Sequence, residues 1–217
     1  MTTRRGFVGT AAGLLLARAA RAESAQKAAE PEVGPAEDLM REHGVLRRVM
    51  FLYDEGAHRL EGGEKVPLDA VAAGAGIVRR VIEQYHEKLE ENFIFPRMEK
   101  AKKLTDLTAT LRRQHEAGRT VTARIIKLCD GSDMKALAAL LRTFNRMYRP
   151  HAAREDTVLF PAFHEIVGEK AYRELGDQFE DEEKKQLGKQ GFEGAVEQVG
   201  KLEEQFGMAD LAQFTPR

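Results

Sequence analysis

Two histidines in this chain stand four residues ahead of a glutamate: His86 before Glu90, and His151 before Glu155. Each pair opens a longer echo, "HEKLEENFIFPRM" and "HAAREDTVLFPAF", in which a Phe-Pro pair begins five residues after the glutamate. The four matched positions (His86 and His151, Glu90 and Glu155, Phe95 and Phe160, Pro96 and Pro161) are all 65 residues apart. Residues four apart are neighbours on one face of a helix, so each copy would present an imidazole beside a carboxylate. Such donors suit Fe or Mn, can also hold Zn, and exclude a thiolate-type cluster. His58 and His164 lack the pattern, because Gly62 and Gly168 stand four places on.

The elements that must carry these groups follow from apolar spacing. Leu39, His43, Leu46, Met50, Tyr53, Ala57 and Leu60 alternate steps of four and three, which predicts an amphipathic helix with a histidine in its seam. After the break "EGGEKVPLD", Val78, Ile82, His86, Leu89 and Phe93 form a second seam, with Glu90 beside His86. The third runs Leu104, Thr108, Leu111, His115, Gly118, Thr122, Ile125 and Cys129, and the fourth Leu137, Leu141, Phe144, Tyr148, His151, Glu155 and Val158. Ser132 or Asp133 is placed to cap the fourth helix, and Pro150 predicts a bend just before His151. Four such helices with short connections imply an all-α, up-down-up-down four-helix bundle. Every helix then sends one histidine inward. Burying four imidazoles and two carboxylates without partners would cost several kcal/mol per ion, and a metal cluster would satisfy all six.

Composition narrows the class. Hydrophobic residues make up 42% and charged residues 32% of the 217, enough for one core in a soluble chain. No cluster of Lys and Arg with interleaved aromatics points to nucleic acid. The single cysteine, Cys129, excludes an internal disulfide and reads as a small core residue. The opening "MTTRRGFVGTAAGLLLARAARAESA" has two arginines, an apolar run too short to span a bilayer, and small residues around Arg21. "TRRGFVG" resembles the twin-arginine export signal, with Val8 and Gly9 where Leu and Lys are more usual. The resemblance implies export of an already folded protein, periplasmic or extracellular, with no membrane span in the mature form. Loss of residues 1–22 would remove four arginines and no acid, taking the net charge from −1 to −5. Residues 23–36 read as a polar linker and 37–167 as the bundle. Residues 168–217 read as a C-terminal extension of one or two helices, placed to pack on the bundle or to form a dimer contact, and "EDEEKK" within it reads as a solvated face.

The repeated frame with its lone seam histidines resembles the hemerythrin-type, HHE cation-binding domain. That resemblance implies two irons held by histidines and two bridging carboxylates, here His43, His86, Glu90, His115, His151 and Glu155. Mn or Zn could occupy the same donors. Glu87 matches a position that touches the metal in some relatives. Two departures stand out. Oxygen carriers of the family have a further His where this chain has Arg119, and they bridge with an Asp five residues after the last His, where this chain has Asp156 beside Glu155. Glu155 repeats the Glu90 geometry and is favoured, but both remain candidates. One imidazole fewer should leave more open coordination, which suits reaction with or sensing of O2, peroxide or NO rather than dedicated oxygen carriage.

Tyr53 and Tyr148 are candidate hydrogen-bond donors to metal-bound groups. Gly118 would leave an opening for a small ligand, and Phe93 and Phe144 would keep the site dry. Competing readings are an iron store, buffer or sensor without turnover, a metal-free interaction bundle, and a ferritin-like di-iron bundle using "EGAH" at Glu55 and "EQYH" at Glu83. The last is disfavoured because Glu55 and Glu83 fall off the seams. Whether the protein is an enzyme or a binding protein, and whether it is a monomer or a dimer, the sequence leaves open.

Overall fold

The alternating three- and four-residue spacing produces four long helical rods in the computed structural model, which describes residues 33–216. The signal-like segment 1–22 lies outside the described residues, as do residues 23–32 of the linker. No strand occurs among the described residues. The first rod is α1 (Pro35–Glu61), and it starts two residues earlier than its predicted limit. Pro35 takes the first turn, where a missing N–H costs nothing and the fixed φ already suits a helix. The second rod is continuous from α2 (Leu68–Ile77) through π1 (Val78–His86), α3 (Glu87–Leu89), π2 (Glu90–Ile94) and α4 (Phe95–Lys100). The third is α5 (Thr105–Cys129), and the fourth runs α6 (Met134–Arg154), π3 (Glu155–Leu159) and the start of α7 (Phe160–Leu187). Asp133 caps α6, its Oδ1 accepting from the Ala136 amide at 2.9 Å.

Two stretches of wide π turn coincide with the repeated frame, beginning at Glu90 and at Glu155. Proline explains both. Pro96 and Pro161 have no N–H, and the ring of each would collide with the carbonyl four residues back in a regular turn. The helix widens instead, and the amides of Phe95 and Phe160 each bond to the carbonyl five residues back, those of Glu90 and Glu155. Pro150, by contrast, sits inside α6, so the departure from α geometry comes after His151 rather than before it. No proline accounts for π1, and nothing else in the structure does.

The extra residue in each π turn rotates the register. Phe93 and Val158, predicted for the seam, are only half-buried, and Ile94, Phe95, Leu159 and Phe160 are buried in their place. On α5, which has no such turn, the buried face is Thr108, Leu111, His115, Gly118, Thr122, Ile125 and Cys129, as the spacing predicts. The face of α1 is wider than its seam, because α1 also carries the C-terminal helix.

At Gly168 the backbone takes φ 73°, a conformation that favours glycine, and α7 breaks there. The segment beyond it packs Tyr172, Leu175 and Phe179 on the bundle, with the Tyr172 hydroxyl accepting from the Ala36 amide at 3.2 Å and donating to Glu37 at 2.9 Å. Helix α8 (Gly191–Phe206) lies against α1 and α2, where Arg48 forks onto Glu203 and Arg59 reaches the Phe206 carbonyl.

The apolar interior is two clusters rather than one. Leu46, Met50, Tyr53, Ile82, Ile125 and Phe144 belong to the first, and Leu39, Leu89, Phe95, Leu111, Phe160 and Phe179 to the second. In every rod the seam histidine lies between a member of one cluster and a member of the other. A buried polar layer therefore divides the core, and it is the layer that the histidines form.

Candidate metal centre

The structure brings six of the predicted residues together: His43 from α1, His86 from π1, Glu90 from π2, His115 from α5, His151 from α6 and Glu155 from π3. All are buried, and both glutamates are fully so. The four imidazoles turn Nε2 inward. From Glu155, Oε2 lies 3.4 Å from His43 Nε2, while Oε1 lies 2.9 Å from His151 Nε2 and 3.9 Å from His115 Nε2. Glu90 Oε2 lies 3.7 Å from His86 Nε2 and 3.4 Å from His115 Nε2. Among these six residues two compact donor groups result, His43–His86–Glu155 and His115–His151–Glu155, with Glu155 common to both, and a third group, Glu87–Glu91–His115, adjoins them.

Both oxygens of Glu90, both of Glu155, and Nε2 of His86 and His115 have no aligned hydrogen-bond partner among the described residues. Orphaned buried donors and acceptors of this kind are rare and call for an explanation. Converging carboxylate and imidazole atoms fit divalent cations, and the donor set excludes a soft-metal site. The carboxylates are electrostatically unlike. Burial, and then the charge of Glu155, push Glu90 up to about 8. Burial would raise Glu155 too, but His151, His115 and His43 outweigh it and hold its carboxyl well below the ordinary range.

Behind each imidazole stands an acceptor for Nδ1. His43 meets Asp156 at 2.6 Å, His86 meets Glu42 at 2.7 Å, His115 meets Glu91 at 3.1 Å and His151 meets the Gln114 carbonyl oxygen at 2.8 Å. An Nδ1–H held in this way fixes the tautomer that leaves Nε2 free for a metal. Asp156 thus orients His43, with Arg47 on its other oxygen, and Glu155 is the carboxylate that faces both donor groups. Glu42, Glu91 and Gln114 were not legible as site residues, although the pattern holds a signal: Glu42 and Gln114 directly precede the lone histidines, and Glu91 directly follows Glu90.

Other expectations shift. Tyr148 does reach the site's edge, donating to Glu87 Oε1 at 2.8 Å, with its ring edge-on to His151. Glu87 itself is engaged by that hydroxyl and by Arg119 at 2.7 Å, so Arg119 clamps Glu87 and Glu91 rather than leaving space. Tyr53 is too far along the seam to serve and packs edge-on to Phe144. Gly118 opens no path to the centre, because a Cβ there would collide with the Tyr148 phenol, for which the glycine makes room. Phe93 packs on Phe179, and Phe144 on Tyr148. The rings that cover the imidazoles are those of the repeated frame, Phe95 stacked on His115 at 5.6 Å and Phe160 on His43 at 5.9 Å. Glu55 pairs with Arg59, and Glu83, though buried, joins neither donor group, so the ferritin-like arrangement is not formed.

An open cleft of about 300 Å³ between α1 and α6 reaches Tyr148 and Ala152, with Arg47 and Arg149 on its rim. Among the described residues no helix is long and apolar enough to cross a membrane.

Comparison with known proteins agrees with this geometry. The model of the hemerythrin HHE cation binding domain matches residues 34–163. Uncharacterised proteins from two strains of Mycobacterium tuberculosis and from Mycobacterium bovis are each 43% identical over 193 residues, covering 86% of this chain and 76% of theirs. No solved structure matches.

Proposed function

Since the chain belongs to the hemerythrin HHE cation-binding family, we propose that it is a non-haem di-iron protein that binds or reacts with O2, peroxide or NO. The carrying observation is the pair of donor groups sharing Glu155, with six inward-facing atoms left without aligned partners among the described residues. In this reading His43 and His86 would hold one iron and His115 and His151 the other, within an up-down-up-down bundle, with Glu155 and Glu90 as their carboxylate donors. Two irons, when bound, supply reversible one-electron chemistry and an open position for a small ligand. The chain's own residues do the rest. The four Nδ1 acceptors lock ring orientation, Phe95 and Phe160 exclude water from two of the imidazoles, and the Tyr148 hydroxyl stands as a proton donor at Glu87. The α1/α6 cleft, ending at Ala152 beside His151, is the route for a ligand.

Elemental analysis of purified protein, with optical spectra before and after reduction and exposure to O2 or NO, tests this. About two irons per chain and a spectrum that responds to ligand are expected. Zinc alone, persisting after iron reconstitution, would overturn it. Iron taken up and released without any spectral response to O2, peroxide or NO would favour storage instead. We also propose that residues 1–22 route the folded protein out of the cytoplasm. Replacing Arg4 and Arg5 by lysine should then retain the protein in the cytoplasmic fraction, and unchanged fractionation would count against export by this pathway.

A further inference from the structure

The four Nδ1 acceptors are not equivalent, and their differences sort by donor group. On the His43–His86 side both acceptors are acids: Asp156 for His43, and Glu42 for His86. On the His115–His151 side Glu91 also binds Arg119 and Lys88, which draw on its charge, and His151 leans on Gln114, an amide that is neutral at any pH. Glu87 also stands on this side, with Oε1 accepting from Tyr148 and Oε2 2.7 Å from Arg119, so its charge is shared with a cation as that of Glu91 is. Asp156 shares itself with one arginine, Arg47, and among the described residues Glu42 bonds to no Lys or Arg.

A carboxylate behind an imidazole raises the basicity of the ring and tightens its hold on a metal, whereas an amide fixes orientation without lending charge. Resting on the di-metal reading above, we propose that the two positions differ in affinity: the His43–His86 position is the tighter, and Gln114 is the positioning residue that makes the His115–His151 position the weaker.

The test strips full-length protein loaded with Zn²⁺, which keeps redox state out of the measurement, using graded concentrations of a chelator and counting the metal retained. Wild type should release its two ions in two steps, separated by at least about tenfold in chelator concentration. Gln114→Glu, nearly isosteric, should shift the easier step toward the harder one. Glu42→Gln should instead weaken the harder step by about 10–100-fold. His151→Ala should leave one tightly held ion and His86→Ala one loosely held ion, with helical content checked by circular dichroism. A single unresolved two-ion step in wild type, or Gln114→Glu leaving both steps in place, overturns the proposal while the di-metal reading stands. Fewer than two ions on wild type after loading would sink that reading itself.

Discussion

The two halves of the bundle, α1 with the second rod and α5 with the fourth, match almost residue for residue where a metal would sit and diverge just beyond. His43 and His115, Arg47 and Arg119, and Glu42 and Gln114 occupy corresponding places 72 apart, while the paired frame repeats at 65. Each arginine clamps the acidic residue that holds its own half's lone histidine, Arg47 on Asp156 and Arg119 on Glu91. Each of those acids comes from the opposite half, as do the rings covering the same histidines, Phe160 over His43 and Phe95 over His115. The mismatches fall along one side. Where the first half has Leu46, Glu83 and Glu87, the second has Gly118, Tyr148 and Ala152. Tyr148 fills the space that Gly118 leaves and donates to Glu87, so the two departures complement each other across the interface. Repetition built the donor set, and divergence gave it an asymmetric surround.

That comparison can be broken at its strongest point. Glu155 belongs to both donor groups and Glu90 to neither of the compact ones. Glu155→Gln is therefore expected to lose both irons and Glu90→Gln to keep at least one per chain, as read by elemental analysis. Equal retention in the two variants would remove the distinction. Next in size, Phe95→Ala and Phe160→Ala should each cost about 3–5 kcal/mol in denaturant unfolding, as large buried rings do. A much smaller cost at one of them would mean that the halves are not packed alike. Gly118→Ala should cost about 1–3 kcal/mol by pushing Tyr148 off Glu87, a loss that Tyr148→Phe should relieve only in part when the two are combined, because the ring carbons also crowd the added Cβ. The smallest effect belongs to the C-terminal helix, which lies mainly on α1 and α2. Glu203→Gln, parting it from Arg48, should lower stability by no more than about 1 kcal/mol.

Much of this was legible because helical spacing is a rigid ruler. The third seam was read correctly down to Cys129, and the six inward donors follow from residue type at fixed intervals. Reading failed where the ruler itself changes length. A regular turn would place Phe93 and Val158 in the core, whereas Pro96 and Pro161 widen the turn and bring Phe95 and Phe160 inward. Three of the four residues that hold Nδ1 are not legible, for a different reason, and the fourth, Asp156, is legible as a bridge candidate but not as the partner of His43. Glu42, Glu91, Gln114 and Asp156 sit one step off the seam, where a polar residue ordinarily faces water, and only the packing of neighbouring rods turns them toward a ring. Gly118 reads as space in the sequence, but what fills that space, Tyr148, comes from another helix.

The two π turns also set what the chain can tolerate in length. A single residue removed between Glu90 and Pro96, or between Glu155 and Pro161, would leave the proline with no room except in a regular turn it cannot enter, and would swing the covering phenylalanine about 100° around the axis. A residue lost from the exposed turn at Gly62 and Gly63 would shift nothing inside. Insertions and deletions should therefore collect at the rod ends, while the five-residue interval from glutamate to phenylalanine stays fixed in every working descendant of this sequence.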